Sequence, residues 1–232
     1  MLLQNKTAII TGSNRGIGKA VLETFAENGA DIFACARKES DEFSNVTERL
    51  SEKTGVSITP VFFDFTESEQ VKAGIKAILS SKKQIDILVN NAGVASGSFF
   101  QMTSLKDLKQ VFEINFFSQI LFTQGISRYM TRFKTGSIIN IASTAGLIGD
   151  AGMTSYGSSK AALMFATKTM ATELGAMNIR VNAIAPSITK TDMFDQMEEK
   201  ARSKLIDASA LKRPAEAVEV ANVALFLASD LS

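Results

Sequence analysis

The chain has 232 residues, of which 45% are hydrophobic, so its length and composition predict one α/β domain spanning residues 1–232 around a sizeable core. A formal net charge of +1 argues against a nucleic-acid partner. We expect a cytoplasmic protein, because no apolar run approaches the roughly 18 residues of a membrane span and no signal peptide is recognisable at the N-terminus. The absence of histidine excludes histidine-dependent triads and histidine-ligated zinc, and the single cysteine, Cys35, excludes an intramolecular disulfide, so no metal site is expected.

Short continuous apolar runs alternate with longer amphipathic stretches. The continuity of these runs predicts strands that are buried on both faces. The six predicted strands are residues 7–11, 31–36, 58–64, 85–90, 137–141 and 179–185. Strands and helices that alternate in this way predict a Rossmann-like, doubly wound parallel sheet with helices on both faces. Ligands bind such sheets at the carboxyl ends of the strands, and the irregular segment 186–207 is expected to form a lid over that end.

A glycine-rich loop follows the first predicted strand. The residues that we expect to contact a dinucleotide there are Gly12, Ser13, Asn14, Arg15, Gly16, Ile17 and Gly18. Glycine lets the backbone turn tightly and approach a pyrophosphate, which the N–H groups at a helix N-terminus stabilise. The spacing Gly-xxx-Gly-x-Gly differs from the commoner Gly-x-Gly-xx-Gly, and a plain strand-to-helix turn would also explain this loop taken alone.

The end of the second predicted strand carries no acidic residue to bind an unphosphorylated ribose. Arg37 follows that strand instead, and Arg15 lies in the glycine-rich loop across from it. Either arginine alone is equally well explained as a solvated surface charge. Two guanidinium groups that converge suit a phosphate dianion, so the pair predicts NADP(H) as the cofactor.

Tyr156 and Lys160 stand four residues apart near the start of a predicted helix and therefore share one helical face. The ammonium group is expected to lower the pKa of the phenol, which would then donate a proton to a carbonyl substrate or remove one from an alcohol. Ser143, just beyond the fifth predicted strand, would hydrogen-bond the same substrate oxygen. An exposed pair that supports a helix would explain Tyr156 and Lys160 alone, but not together with Ser143 and the glycine-rich loop.

The chain resembles the short-chain dehydrogenase/reductase family, because the glycine-rich loop, Asn90-Asn91-Ala92-Gly93 and the set Asn115, Ser143, Tyr156 and Lys160 follow one another in that family's order. Within the family the likeness is to the 3-oxoacyl-[acyl-carrier-protein] reductases of fatty acid synthesis, through Thr-Gly-Ser-Asn-Arg-Gly-Ile-Gly near the start and Phe-Leu-Ala-Ser-Asp near the end. The resemblance implies that Asn115 holds a water linked to Lys160 and that Lys160 also binds the cofactor ribose.

The resemblance also implies further cofactor contacts. Those towards the adenosine half are Asp64, Phe65, Asn91, Ala92 and Gly93, and those towards the nicotinamide are Pro186, Ser187, Ile188, Thr189 and Thr191. Ser187 departs from the glycine usual at its position.

Candidate substrate contacts are apolar. Besides Ser143 they are Phe99, Leu147, Met153 and Met193, each of which would be equally well explained by packing in a core or a subunit interface. They favour a ketone such as a 3-oxoacyl thioester, free or bound to an acyl carrier protein. Thr172, where relatives often present a basic residue, weakens the carrier-bound form. A sugar or polyol dehydrogenase with the same tetrad and a non-catalytic, cofactor-binding relative remain the alternatives.

The resemblance implies a homodimer or homotetramer, formed through the apolar helices around Asn115 and Tyr156. Relatives continue past Ala-Ser-Asp into a final strand, whereas this sequence stops at Ser232. Either the sequence is shortened or the protein lacks this seventh strand, and the second alternative would leave one sheet edge unpaired and weaken the usual tetramer contacts.

Overall fold

Six parallel strands form the central sheet of the computed structural model, which describes residues 1–195 and 197–232 and, for Met193, the backbone only. The strands are β1 (Thr7–Thr11), β2 (Asp31–Ala36), β3 (Ile58–Phe62), β4 (Ile87–Asn90), β5 (Gly136–Ile141) and β6 (Ile179–Ile184). They lie in the order β3-β2-β1-β4-β5-β6, which confirms the predicted doubly wound class. The strand order reverses between β1 and β4, and in such sheets the ligand crevice lies at this reversal.

Helices cover both faces of the sheet. They are α1 (Gly16–Glu27), α2 (Asp41–Thr54), α3 (Ser68–Ser80), α4 (Leu105–Phe112), α5 (Ser118–Met130), α6 (Thr154–Leu174), α7 (Asp192–Asp195), α8 (Glu199–Ala208) and α9 (Ala217–Ala228). Helices α1, α2 and α9 share one core with the sheet, and α3, α5 and α6 share the other. Alternate residues of β1 enter the two cores, with Ile9 in one and Ile10 in the other. This explains why the strands read as continuous apolar runs.

Four predicted strand boundaries differ from the structure, two of them by one residue, since β5 begins at Gly136 rather than Ser137 and β6 ends at Ile184 rather than Ala185. The third strand ends at Phe62 rather than Asp64. The backbone N–H of Asp64 donates to the side-chain oxygen of Gln70 at 3.0 Å instead of to a neighbouring strand. The fourth begins at Ile87, two residues later than predicted. All four changes are at strand ends, and the faces that the strands present are unaffected.

The segment predicted to form a lid contains helix α7 and most of helix α8. Two short parallel segments, β7 (Thr189–Lys190) and β8 (Ala215–Glu216), pair at its base. In the residues described, β6 is an edge strand of the six-stranded sheet. No helix within 1–195 or 197–232 is long and apolar enough to cross a membrane.

Candidate active site

The glycine-rich loop connects β1 to α1 in a conformation that favours glycine. Gly12 and Gly16 both have positive φ, +64° and +54°. A Cβ on Gly18 would overlap the carbonyl oxygen of Gly12, so this position accepts no side chain without a shift of the backbone. The loop is anchored to β2, since the Ser13 hydroxyl donates to the carbonyl oxygen of Cys35 at 3.0 Å. These features form a narrow cradle of backbone at the N-terminus of α1, which is what a pyrophosphate requires.

The segment after β4 is held against this loop by a contact that the sequence argument missed. The Thr11 hydroxyl oxygen accepts hydrogen bonds from the backbone N–H groups of Asn91 and Ala92, at 2.9 and 3.0 Å. In return the Asn91 side chain donates to the carbonyl oxygens of Thr11 and Gly12, each at 3.0 Å. The carboxyl ends of β1 and β4 are thereby fixed relative to one another at the point where the strand order reverses. A threonine at the end of a strand gives no signal by which sequence reasoning could have found it.

Gln119 of α5 was also missed. It is fully buried, and its side-chain amide donates to the carbonyl oxygen of Ala92. Gly93 comes next, and a Cβ there would lie 3.1 Å from Asn115 Oδ1 and 3.4 Å from Lys160 Nζ. The loop after β4 therefore passes directly over two of the predicted catalytic residues.

Asn115 lies in a π-helical turn, Glu113–Phe117, between α4 and α5. Such widened turns inside α-helices are frequent at functional sites. The buried Asn115 side chain accepts from the N–H of Val94 at 2.9 Å and donates to the Val94 carbonyl at 2.9 Å and to the Ser159 hydroxyl at 3.1 Å. Both amide hydrogens are thus used by the protein. A water held by this residue would have to bind the remaining lone pair of Oδ1 or the backbone.

Lys160 is 3% exposed, and its Nζ donates to the carbonyl oxygen of Ile141, the last residue of β5, at 2.8 Å. The same Nζ lies 5.9 Å from the centroid of the Tyr156 ring, so the predicted pair does share one face of α6. Burial lowers the pKa of Lys160 to about 8. The ammonium group is therefore buried, with the Ile141 carbonyl oxygen as its hydrogen-bond acceptor.

The Ser143 side chain lies near the Tyr156 phenol, and Lys160 Nζ lies 5.9 Å from the centroid of the Tyr156 ring, so the structure brings three of the predicted catalytic residues together. Burial raises the pKa of the Tyr156 phenol above its ordinary value, and the nearby Ser143 side chain opposes this only in part. The predicted lowering of this pKa by Lys160 is therefore wrong in sign. The reason is that the ammonium points to Ile141 and the loss of water around the phenol dominates.

The two arginines assigned to the ribose phosphate are both exposed. Arg15 precedes α1, and its Nη1 lies 3.7 Å from Asp192 Oδ2 of α7. Arg37 follows the last residue of β2 and has no carboxylate within 4.0 Å in residues 1–195 and 197–232. Asn14 is exposed in the same loop, whereas Ile17 packs against the core and offers only its backbone.

Asp64 and Phe65 follow β3 at the outer end of this crevice. The Asp64 carboxylate accepts from the N–H and hydroxyl of Thr66, at 2.8 and 2.9 Å, so it is held in one orientation. The Phe65 ring lies in the core against Phe63 and Phe122. Phe65 could therefore contact a cofactor only through its backbone.

The segment assigned to the nicotinamide runs from Pro186 into the lid. The Pro186 carbonyl accepts from the N–H of Thr144 at 3.0 Å, which places this segment beside Ser143. At its other end the Thr191 methyl lies 3.3 Å from where a Cβ on Gly16 would sit. Ile188 and Thr189 are buried, and Ser187 is exposed. The crevice is therefore bordered by the glycine-rich loop on one side and by this segment on the other.

The predicted substrate residues lie on two segments that meet, since the N–H of Ser98 donates to the Gly152 carbonyl at 3.1 Å. Phe99 and Leu147 are 67% and 68% exposed, and Met153 is half-buried just before α6. The side chain of Met193 lies outside the described residues. The segments form an apolar rim beside Ser143 and Tyr156.

Comparison with known proteins agrees with this geometry. A family model described as short chain dehydrogenase matches residues 6–202. The 3-oxoacyl-[acyl-carrier-protein] reductases of Thermotoga maritima and Aquifex aeolicus are each 36% identical, over 100% and 99% of this chain and 94% and 92% of their own. A 3alpha-hydroxysteroid dehydrogenase of Mediterraneibacter gnavus is 35% identical over 100% of this chain and 93% of its own. The chain therefore belongs to the short-chain dehydrogenase family, whose members are oxidoreductases that bind a nicotinamide cofactor.

Proposed function

We propose that this protein reduces a ketone to a secondary alcohol with NADPH as the reductant. The observation that carries the proposal is the meeting of Ser143, Tyr156 and Lys160 at the carboxyl end of β5, directly beneath the loop at Gly93. The cradle at Gly12 and Gly18 fits a dinucleotide, because backbone lies where a side chain would otherwise stand. When bound, the nicotinamide supplies the hydride.

The side chains would divide the proton chemistry between them. Tyr156 donates a proton to the substrate oxygen, and the Ser143 hydroxyl orients that oxygen through a hydrogen bond. A phenol whose pKa is raised by burial stays protonated throughout the neutral range, which suits a proton donor better than a base. Lys160 would bind the cofactor ribose beside Gly93.

NADPH is proposed over NADH because Arg15 and Arg37 border the crevice and both side chains are exposed, although Arg15 lies 3.7 Å from the Asp192 carboxylate. No carboxylate at the end of β2 would repel that phosphate, since the residue after Ala36 is Arg37 itself. Two guanidinium groups bind a dianion through charge-assisted hydrogen bonds.

The apolar rim favours a substrate whose ketone group is part of an apolar acyl chain or an apolar ring. A 3-oxoacyl thioester, bound or not to an acyl carrier protein, fits the rim and the two reductase relatives. A ring ketone is a second candidate, since the hydroxysteroid dehydrogenase is as similar to this chain as the reductases are. A sugar is disfavoured, because polyol sites need several convergent hydrogen-bond partners and Phe99 and Leu147 offer none.

Turnover of an acetoacetyl thioester, a steroid ketone and a ketose, followed by the loss of NADPH absorbance, tests the substrate class. Tyr156→Phe should lower the rate on the accepted substrate about 10²- to 10⁴-fold while leaving NADPH binding nearly unchanged, because it removes the proton donor and keeps the ring. The chain provides a matched control, since Tyr129 is the other tyrosine, and it lies on α5 and packs against Phe133 just beyond the end of that helix. Tyr129→Phe should retain activity. A Tyr156→Phe enzyme with half the wild-type rate would refute the proposed role.

A further inference from the structure

The lid contacts the glycine-rich loop through a charged pair. Asp192, the first residue of α7, places its Oδ2 3.7 Å from Nη1 of Arg15, and Thr191 packs beside Gly16. The Arg15 side chain is 66% exposed and the Asp192 side chain is 58% exposed. Among the described residues, Asp192 provides the only carboxylate within 4.0 Å of this guanidinium.

Arg15 is also one of the two arginines that the proposed function assigns to the 2'-phosphate, the other being Arg37. Carboxylate and phosphate bind a guanidinium in the same way, through its fork of N–H groups. With both anions on one guanidinium, their like charges would stand a few ångströms apart and repel one another. A phosphate that reaches Arg15 must therefore either displace the Asp192 carboxylate or be weakened by it. NADH has a hydroxyl in place of the phosphate and leaves the ion pair intact.

We propose that Asp192 competes with the ribose 2'-phosphate for Arg15, and so sets how strongly the protein prefers NADPH to NADH. The inference rests on the proposed function. Asp192 is in this view a specificity residue on the lid that acts through Arg15 and takes no part in the chemistry. The opposite role, in which Asp192 holds Arg15 ready for the phosphate, predicts the opposite effect of removing the carboxylate.

Calorimetric titrations of NADPH and NADH into the wild type and into Asp192→Asn test the competition. An exposed ion pair contributes little, so the ratio of NADH to NADPH dissociation constants should rise about two- to fivefold in Asp192→Asn. The increase should shrink as salt is added. Asp195→Asn is the matched control, because it removes one negative charge from the same helix at a residue that has no ion pair with Arg15.

The same substitution in an Arg15→Ala background separates competition from long-range repulsion. If Asp192 acts through Arg15, Asp192→Asn has no effect on the ratio in that background. A ratio that falls, that changes equally in Asp195→Asn, or that rises equally without Arg15 would overturn the competition and leave the proposed function standing. A wild-type protein that binds neither nucleotide would overturn the proposed function itself.

Discussion

Lys160→Met is expected to stabilise the folded protein near pH 7 while abolishing its activity. Lys160 is buried, and burial lowers its pKa from 10.5 to about 8. At neutral pH its charge is therefore held in an unfavourable setting, where the Ile141 carbonyl is its hydrogen-bond partner at 2.8 Å. Methionine has nearly the same length and carries no charge.

The magnitude follows from the two pKa values. A difference between 10.5 in the unfolded chain and about 8 in the folded one corresponds to about 3 kcal/mol of destabilisation below pH 8. Methionine leaves the Ile141 carbonyl without its donor, which costs about 1 to 2 kcal/mol, so the net gain at pH 7 is about 1 to 2 kcal/mol. Between pH 8 and 10.5 the unfolded chain binds the proton more strongly than the folded protein does. Wild-type stability therefore rises with pH in this window, and the advantage of Lys160→Met should vanish near pH 9.5.

Urea unfolding followed by circular dichroism at pH 7 and pH 9.5 measures the free energy of unfolding of the wild type and of Lys160→Met at each pH. Lys168→Met is the control, because Lys168 is exposed on the same helix, and it should change the free energy of unfolding by at most about 0.5 kcal/mol at either pH. The reasoning fails if Lys160→Met is less stable than the wild type at pH 7, or if its difference from the wild type is the same at both pH values.

Two further outcomes are expected. Replacing Arg15 and Arg37 together with alanine should erase the preference for NADPH, whereas Lys38→Ala should leave it; titrations in which the wild type binds NADH as tightly as NADPH would contradict the assignment of the two arginines. Light scattering at micromolar concentration should return at least a dimer mass, because Phe117 and Phe165 are 54% and 72% exposed beside α5 and on α6; a single-chain mass would contradict pairing through these helices.

The fold was predictable because its signals are local. Strands β1, β2, β4 and β5 are buried along almost their whole length, so they appear in the sequence as mainly apolar runs, and the edge strands β3 and β6 are only partly buried. The errors are at strand ends, where a single side chain decides whether a backbone N–H pairs with a neighbouring strand, as Gln70 does at Asp64. Such a bond joins residues whose proximity depends on the turn between them, and the pattern of apolar residues does not report it.

The candidate site was predictable where spacing alone determines geometry. Four residues along a helix placed Tyr156 and Lys160 on one face, and the glycines of the loop indicated a close approach of backbone. The direction of the Tyr156 pKa was not predictable, because it depends on how much water the finished fold removes from the phenol. The structural roles of Thr11 and Gln119 could not be predicted for a related reason. Their hydrogen-bond partners are backbone atoms of distant loops, which any sequence would provide.

Asn115 is best understood as a positioning residue. A π-helical turn interrupts the hydrogen bonding of the long helical stretch, and the interruption is offset by the bonds that Asn115 makes to both backbone groups of Val94 and to the Ser159 hydroxyl. Ser159 in turn donates to the carbonyl oxygen of Tyr156 at 2.7 Å. One buried amide thus joins the loop over the cofactor crevice to the first turns of α6. Because both of its amide hydrogens are used in this way, we propose that Asn115 serves the reaction mainly by fixing where Tyr156 and Lys160 lie, since a proton path through its side chain has at most one acceptor left to use.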